Sequence, residues 1–166
     1  MTVTDVRKDP DALTLAITVS LDATVERAWQ LWADPRQLER WWGPPTYPAT
    51  FVDHDLTVGS RITYFMTSPE DERYFGWWEV LAVDAPRRLE VRDGFGDETG
   101  QPNDELPVGT MVVTLGEHDG GTEMVITSHF PTLEAMEQVL AMGQEEGMVQ
   151  ALGQIDAILA GTPSGA

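Results

Sequence analysis

The chain has 166 residues, with ten Lys plus Arg against 28 Asp plus Glu and a formal net charge of -18 at pH 7. That length fits one domain, and 42% hydrophobic residues with six tryptophans supply a core, so the acidity does not imply disorder. Such a charge repels phosphate backbones and anionic headgroups, which argues against nucleic acid and membrane surfaces as partners and leaves small neutral or cationic molecules open.

There is no cysteine, which excludes disulfides, thiol catalysis and cysteine zinc sites. No apolar run approaches the roughly 20 residues that span a bilayer, and the N-terminal MTVTDVRKDPDA lacks an apolar secretion segment; the expected location is the cytoplasm. Residues 1–11 read as a flexible N-terminal tail, 12–161 as the folded domain and 162–166 as a flexible C-terminal tail. No internal repeat divides the domain.

In chain order, Leu13 to Leu21 alternates apolar residues at Leu13, Leu15, Ile17, Val19 and Leu21, the period of a half-buried strand. Val25, Ala28, Trp29 and Trp32 then share one stripe of a short helix, with Thr24 placed to cap it and Glu26 in its positive first turn. Asp34-Pro35 starts a second short helix, which carries Leu38 and Trp41 and must stop at Gly43-Pro44-Pro45.

From Pro48 to Phe130 six β-rich runs follow: Pro48 to Asp53, Ser60 to Thr67, Tyr74 to Val83, Arg88 to Asp93, Gly109 to Gly116 and Thr122 to Phe130. His118-Asp119-Gly120-Gly121 closes the last pair as a hairpin. Asp93 to Pro107 is acidic and contains glycine and proline, which predicts a mobile surface loop and a solvated lid. Thr132 to Ala160 reads as one long helix capped by Thr132 and released at Gly161-Thr162-Pro163, with Leu133, Met136, Leu140, Gly143, Gly147, Leu152, Ile155 and Leu159 on its inward stripe. The result is an α+β layout in which one curved antiparallel sheet of about seven strands grips that helix, with two short helices after the first strand.

The fragments LDATVERAW, DPRQLERWWGP (34–44), DHDLTVGSRITYFM (53–66), VDAPRRLEV and HDGGTEMVIT (118–127) occur in this order. Together they resemble the bacterial proteins grouped with the activator of heat-shock-protein-90 ATPase homologue domain, in the START-like or SRPBCC superfamily. The resemblance implies the helix-grip fold of the major birch pollen allergen, and with it a small-molecule cavity. It also brings in relatives that act as polyketide cyclases or dehydratases. Where many relatives have Gly-Trp in the last helix, this chain has Gly147-Met148, so the shape of the cavity is its own.

The residues point to a cavity independently. Each glycine inside a helix costs about 1 kcal/mol relative to alanine, yet Gly143 and Gly147 stand four apart on the inward stripe. Close helix–sheet packing or room for a ligand would offset that cost. Strand parity puts Tyr64 and Met66, Trp78 and Val80, Met111 and Val113, and Met124 and Ile126 on inward faces. Trp42 at a helix end, Met136, Leu140 and Met148 complete the expected wall, and the methionines suit an irregular apolar ligand. Two adjacent rings, Trp41 and Trp42, are not expected to share one core. Tyr64, Ser128 and, less favoured, Glu79 are the polar candidates.

His54, His118 and His129 stand apart without short metal spacing, so no metal and no cofactor is expected. No nucleophile motif points to a catalytic residue. The reading is thus a carrier, sensor or stress-response protein for a small hydrophobic or aromatic molecule. A cyclase or dehydratase and a chaperone-interacting module are the alternatives, the latter without a supporting motif. A homodimer stays open.

Overall fold

The structure is a computed structural model in which residues 2–99, 101–103 and 106–160 are described. Its strands are β1 (Thr2–Asp9), β2 (Thr14–Leu21), β3 (Ala49–Asp53), β4 (Arg61–Thr67), β5 (Arg73–Asp84), β6 (Arg88–Gly96), β7 (Gly109–His118) and β8 (Gly121–His129). Helices α1 (Val25–Ala33) and α2 (Pro35–Trp41) follow β2, while α3 (Leu133–Ala141), α4 (Gln144–Leu152) and α5 (Ile155–Ala160) close the described chain. All eight strands form one antiparallel sheet in the order β1-β2-β8-β7-β6-β5-β4-β3.

The local signals act as their chemistry requires. The Thr24 side chain accepts from the Arg27 amide, and Asp34 accepts from the Arg36 amide with Pro35 opening α2. Asp119 and Gly120 both take positive φ in the two-residue turn between β7 and β8, the geometry whose twist matches the flanking strands. Helix α1 packs against β7 and β8, and Trp32 Nε1 donates to the Met124 sulfur at 3.3 Å.

Four expectations are corrected. The segment read as an N-terminal tail is β1, paired along its length with β2, so the sheet has eight strands rather than seven. It is a charged edge strand whose Val3 and Val6 pack against the core, a pattern too weak in apolar content to show in the sequence. The single long helix is three segments, because Gly143 takes φ +90° and starts α4 in a left-handed conformation, while Gly153 caps its end. The helix exit at Gly161 and the tail beyond it lie outside the described residues. β6 continues past Asp93 to Gly96, and the following turn is held by the Asp97 amide donating to Gln101 O (2.8 Å) and the Asn103 amide donating to Phe95 O (2.8 Å).

The last correction concerns the paired tryptophans. Trp41 and Trp42 are both buried in one aromatic cluster, edge to face at 5.6 Å. Helix α2 ends at Trp41, and the extended backbone of Trp42 turns its ring back to the same side.

Candidate ligand-binding site

The inward face of the sheet can be read as cross-strand rows. Ile17, Ile126, Val113 and Leu89 form one row, and Leu15, Ser128, Met111, Val91 and Val80 the next. Then come Gly109, Asp93, Trp78 and Ile62, followed by Phe95, Gly76, Tyr64 and Phe51. The first row is wholly aliphatic and lies toward the α1 end of the sheet. In the later rows two glycines withhold side chains while Ser128, Asp93 and Tyr64 bring polar ones. A cavity of about 600 Å³ lies over this second half, bordered by the end of α2 and by α3 and α4 and open to solvent on one side. That volume suits a small organic ligand.

Of the residues expected to bind ligand, Trp42, Tyr64, Met66, Met111, Gly143, Gly147 and Met148 line this cavity. Trp78, Val80, Val113, Met124, Ile126 and Met136 do not; they are fully packed core. The reason for Val113, Met124 and Ile126 is their row position, where α1 and its tryptophans fill the space above them. Trp78 is covered by Trp42, Tyr64 and Phe51 at ring separations of 5.0, 5.9 and 5.6 Å. Leu140 is half-buried against the core, and its neighbours Val139 and Met142 face the cavity instead.

Neither glycine of the helix is held by close packing. A Cβ at Gly143 would meet nothing within 4 Å, and one at Gly147 only Pro44 Cγ at 3.8 Å. Space adjoins both. Glu79 points away and pairs with Arg92 at 3.3 Å. His54 Nε2 lies 2.9 Å from Trp32 O, which gives it a structural partner. Among the described residues no group of three or more His, Cys, Asp or Glu is placed to hold a metal.

Asp93 is the site residue that sequence reasoning missed. Its carboxylate sits in the cavity wall between Trp78 and Gly109, and among the described residues no lysine or arginine lines the same space. Burial, opposed only by its own amide, pushes its pKa up from 3.8 to about 6. Leu89, Val91 and Asp93 alternate in one strand, so the signal was present; the acidic glycine-containing sequence beyond it pointed to loop.

Tyr64 stands on the same face of the neighbouring row. Its phenol stacks on Phe51 at 5.0 Å, and burial raises its pKa to about 12, partly countered by the nearby indole N–H groups of Trp42 and Trp78. The hydroxyl is therefore a neutral donor at physiological pH. Neither indole Nε1 is within hydrogen-bonding geometry of a partner. Across the cavity, Gln144 Nε2 donates to Ser128 Oγ at 3.4 Å, and the buried Gln144 Oε1 has no partner. The chamber is thus apolar over most of its wall, with the unpaired Trp42 Nε1 and Gln144 Oε1 and the polar side chains of Tyr64, Asp93 and Ser128 set into it.

A curved antiparallel sheet that encloses a chamber under C-terminal helices defines a START-like, helix-grip protein. The family described as Activator of Hsp90 ATPase homolog 1-like protein matches residues 22–160, and the chain belongs to it. It is similar to Protein Ms6760 from Mycobacterium smegmatis, known from a crystal structure, at 54% identity, with 98% of this chain and 99% of that chain covered and a TM-score of 0.90. A protein from Arthrobacter aurescens, solved by solution NMR, is 49% identical over 96% of this chain and 92% of its own, with a TM-score of 0.91. A Staphylococcus epidermidis protein, also solved by NMR, is 27% identical over 96% and 94%, with a TM-score of 0.81. No curated protein matches the chain. Among the described residues no helix is long and apolar enough to cross a membrane.

Proposed function

We propose that the protein binds a small hydrophobic or aromatic molecule in the cavity between the sheet and helices α3 and α4, acting in the cytoplasm as a carrier, sensor or stress-response factor. One observation carries this reading: a chamber of about 600 Å³ whose walls include Met66, Met111, Met142 and Met148 beside the rings of Trp42 and Tyr64. Such a surface favours apolar guests and adapts to irregular ones. The open space beside Gly147 supports it further, since tight helix packing does not account for that glycine, whereas the left-handed backbone accounts for Gly143.

A catalytic reading, of the cyclase or dehydratase kind, is favoured by one feature only. Asp93 has a pKa near neutrality and shares the chamber with the Tyr64 hydroxyl, which is the arrangement of a general acid or base within an apolar site. Native mass spectrometry of the purified protein, followed by denaturation and analysis of what is released, separates the two. Recovery of an unchanged small molecule, with no turnover of aromatic polyketide-like compounds, supports carriage. Turnover that disappears in Asp93→Asn supports catalysis. A protein that takes up neither endogenous nor added apolar molecules contradicts both.

A further inference from the structure

The polar groups in the chamber limit what its guest can be. Among the described residues Asp93 is the only acidic one in the wall, and no Lys or Arg lies there to neutralise it; His129, the one described histidine bordering the space, is exposed. An anionic head would therefore meet a like charge without a counter-ion, inside a protein of net charge -18. The unpaired groups ask for something else. Gln144 Oε1 is an acceptor without a donor and Trp42 Nε1, on a side chain 6% exposed, is a donor without an acceptor, while the Asp93 carboxyl accepts only from its own amide. The Tyr64 hydroxyl proton likewise has no acceptor among the described residues. Buried polar atoms in this state are costly until a partner arrives.

We infer that the guest carries a hydrogen-bond-donating, non-anionic head, a hydroxyl or an amine, seated against Asp93 and Tyr64, and that apolar molecules with a carboxylate head are rejected. A hydroxyl both donates to Asp93 and accepts from Tyr64 or Trp42; a protonated amine pairs with the carboxylate directly. The desolvated state of Asp93 agrees with this, because a donor or a cation would relieve it. The inference rests on the cavity being a binding site, and the test keeps the two apart.

Four probes of one shape serve: 2-methylnaphthalene, 2-naphthalenemethanol, 2-naphthylmethylamine and 2-naphthoate, titrated by calorimetry against the full chain and against Asp93→Asn. The expected result is that the alcohol and the amine bind at least about tenfold more tightly than the carboxylate, the factor that corresponds to about 1.4 kcal/mol of head-group discrimination. In folded Asp93→Asn the gap should close, chiefly because naphthoate gains. If methylnaphthalene binds and the heads make no difference, the cavity reading stands and this inference falls. If naphthoate binds as tightly as the alcohol, or the order survives unchanged in folded Asp93→Asn, the role given to Asp93 is overturned. Binding of none of the four overturns both readings. Should the variant fail to fold, the order measured on the natural chain decides alone.

Discussion

The phenol of Tyr64 lies across Gly76, its cross-strand neighbour: a Cβ at Gly76 would overlap the ring's Cζ and hydroxyl oxygen. The glycine is what lets the ring reach over β5 into the chamber. Gly76→Ala should therefore destabilise the protein by about 1–3 kcal/mol, the range for overpacking a well-filled site. Urea unfolding provides the check. In a Tyr64→Ala background most of that cost should vanish, and a coupling below about 0.5 kcal/mol would contradict the contact.

Removing only the hydroxyl asks a different question. Tyr64→Phe keeps the stack on Phe51 and the edge contacts with Trp42 and Trp78. Because the hydroxyl proton has no acceptor among the described residues, thermal stability should change by less than about 1 kcal/mol. Binding of 2-naphthalenemethanol should weaken about tenfold while binding of 2-methylnaphthalene holds, a difference that calorimetry resolves.

Asp93 predicts a pH dependence of stability opposite in sign to that of most carboxylates. Its pKa is raised to about 6 in the fold against 3.8 in the unfolded chain, so between these values the folded state holds the extra proton. Stability from this group is fully present below the unfolded value, declines as pH rises from about 4 to about 6, and is level above. The loss is ~3 kcal/mol, from about two pKa units. Glu117 acts the other way at lower pH: paired with Arg87 it is held down to about 2, and its contribution is lost as pH falls from its usual 4.5 toward that value. Chemical denaturation from pH 4 to pH 8 should show Asp93→Asn more stable than the natural chain above pH 6, with the difference shrinking toward pH 4. A constant difference across the range would contradict the desolvated carboxylate.

The two helix glycines should behave differently when substituted. Gly143 holds φ +90°, so any side chain there is strained by about 1 kcal/mol or more, although no atom opposes it. Gly147 lies within α4, and a Cβ there makes only an ordinary contact with Pro44. Gly147→Ala should raise stability by up to about 1 kcal/mol on helix propensity. Gly147→Leu should leave the protein folded and reduce uptake of 2-methylnaphthalene about tenfold, the equivalent of about 1.4 kcal/mol. Melting curves and calorimetry on the same preparations test both statements, and undiminished uptake would place the guest elsewhere.

Much of this architecture is legible in the residues themselves. The alternation from Leu15 to Leu21, the caps at Thr24 and Asp34 and the turn at Asp119-Gly120 are local chemistry, and local chemistry sets those elements. Parity likewise places Tyr64, Met66 and Met111 on the chamber side. It cannot say how far along the sheet the chamber extends, because that depends on α1 occupying one end; Met124 and Ile126 share a face with Met111 yet lie beneath Trp32 or within the aliphatic row. The left-handed break at Gly143 was hidden because Gly143 and Gly147 fit the same 3.6-residue stripe, and only the fold decides which one turns. β1 escaped notice because an edge strand needs few apolar residues, and its Lys8 reaches Glu145 of α4 at 2.9 Å, a contact between distant parts of the chain that no local pattern encodes.

The most direct test of the cavity uses methionines as reporters. With methyl-labelled Met, NMR titration by 2-naphthalenemethanol should shift the methyl signals of Met66, Met111, Met142 and Met148, which border the chamber, while those of the packed Met124 and Met136 stay nearly still. Saturable shifts confined to the first set are the result this account predicts. Shifts absent at saturating probe, or spread equally over both sets, would contradict it.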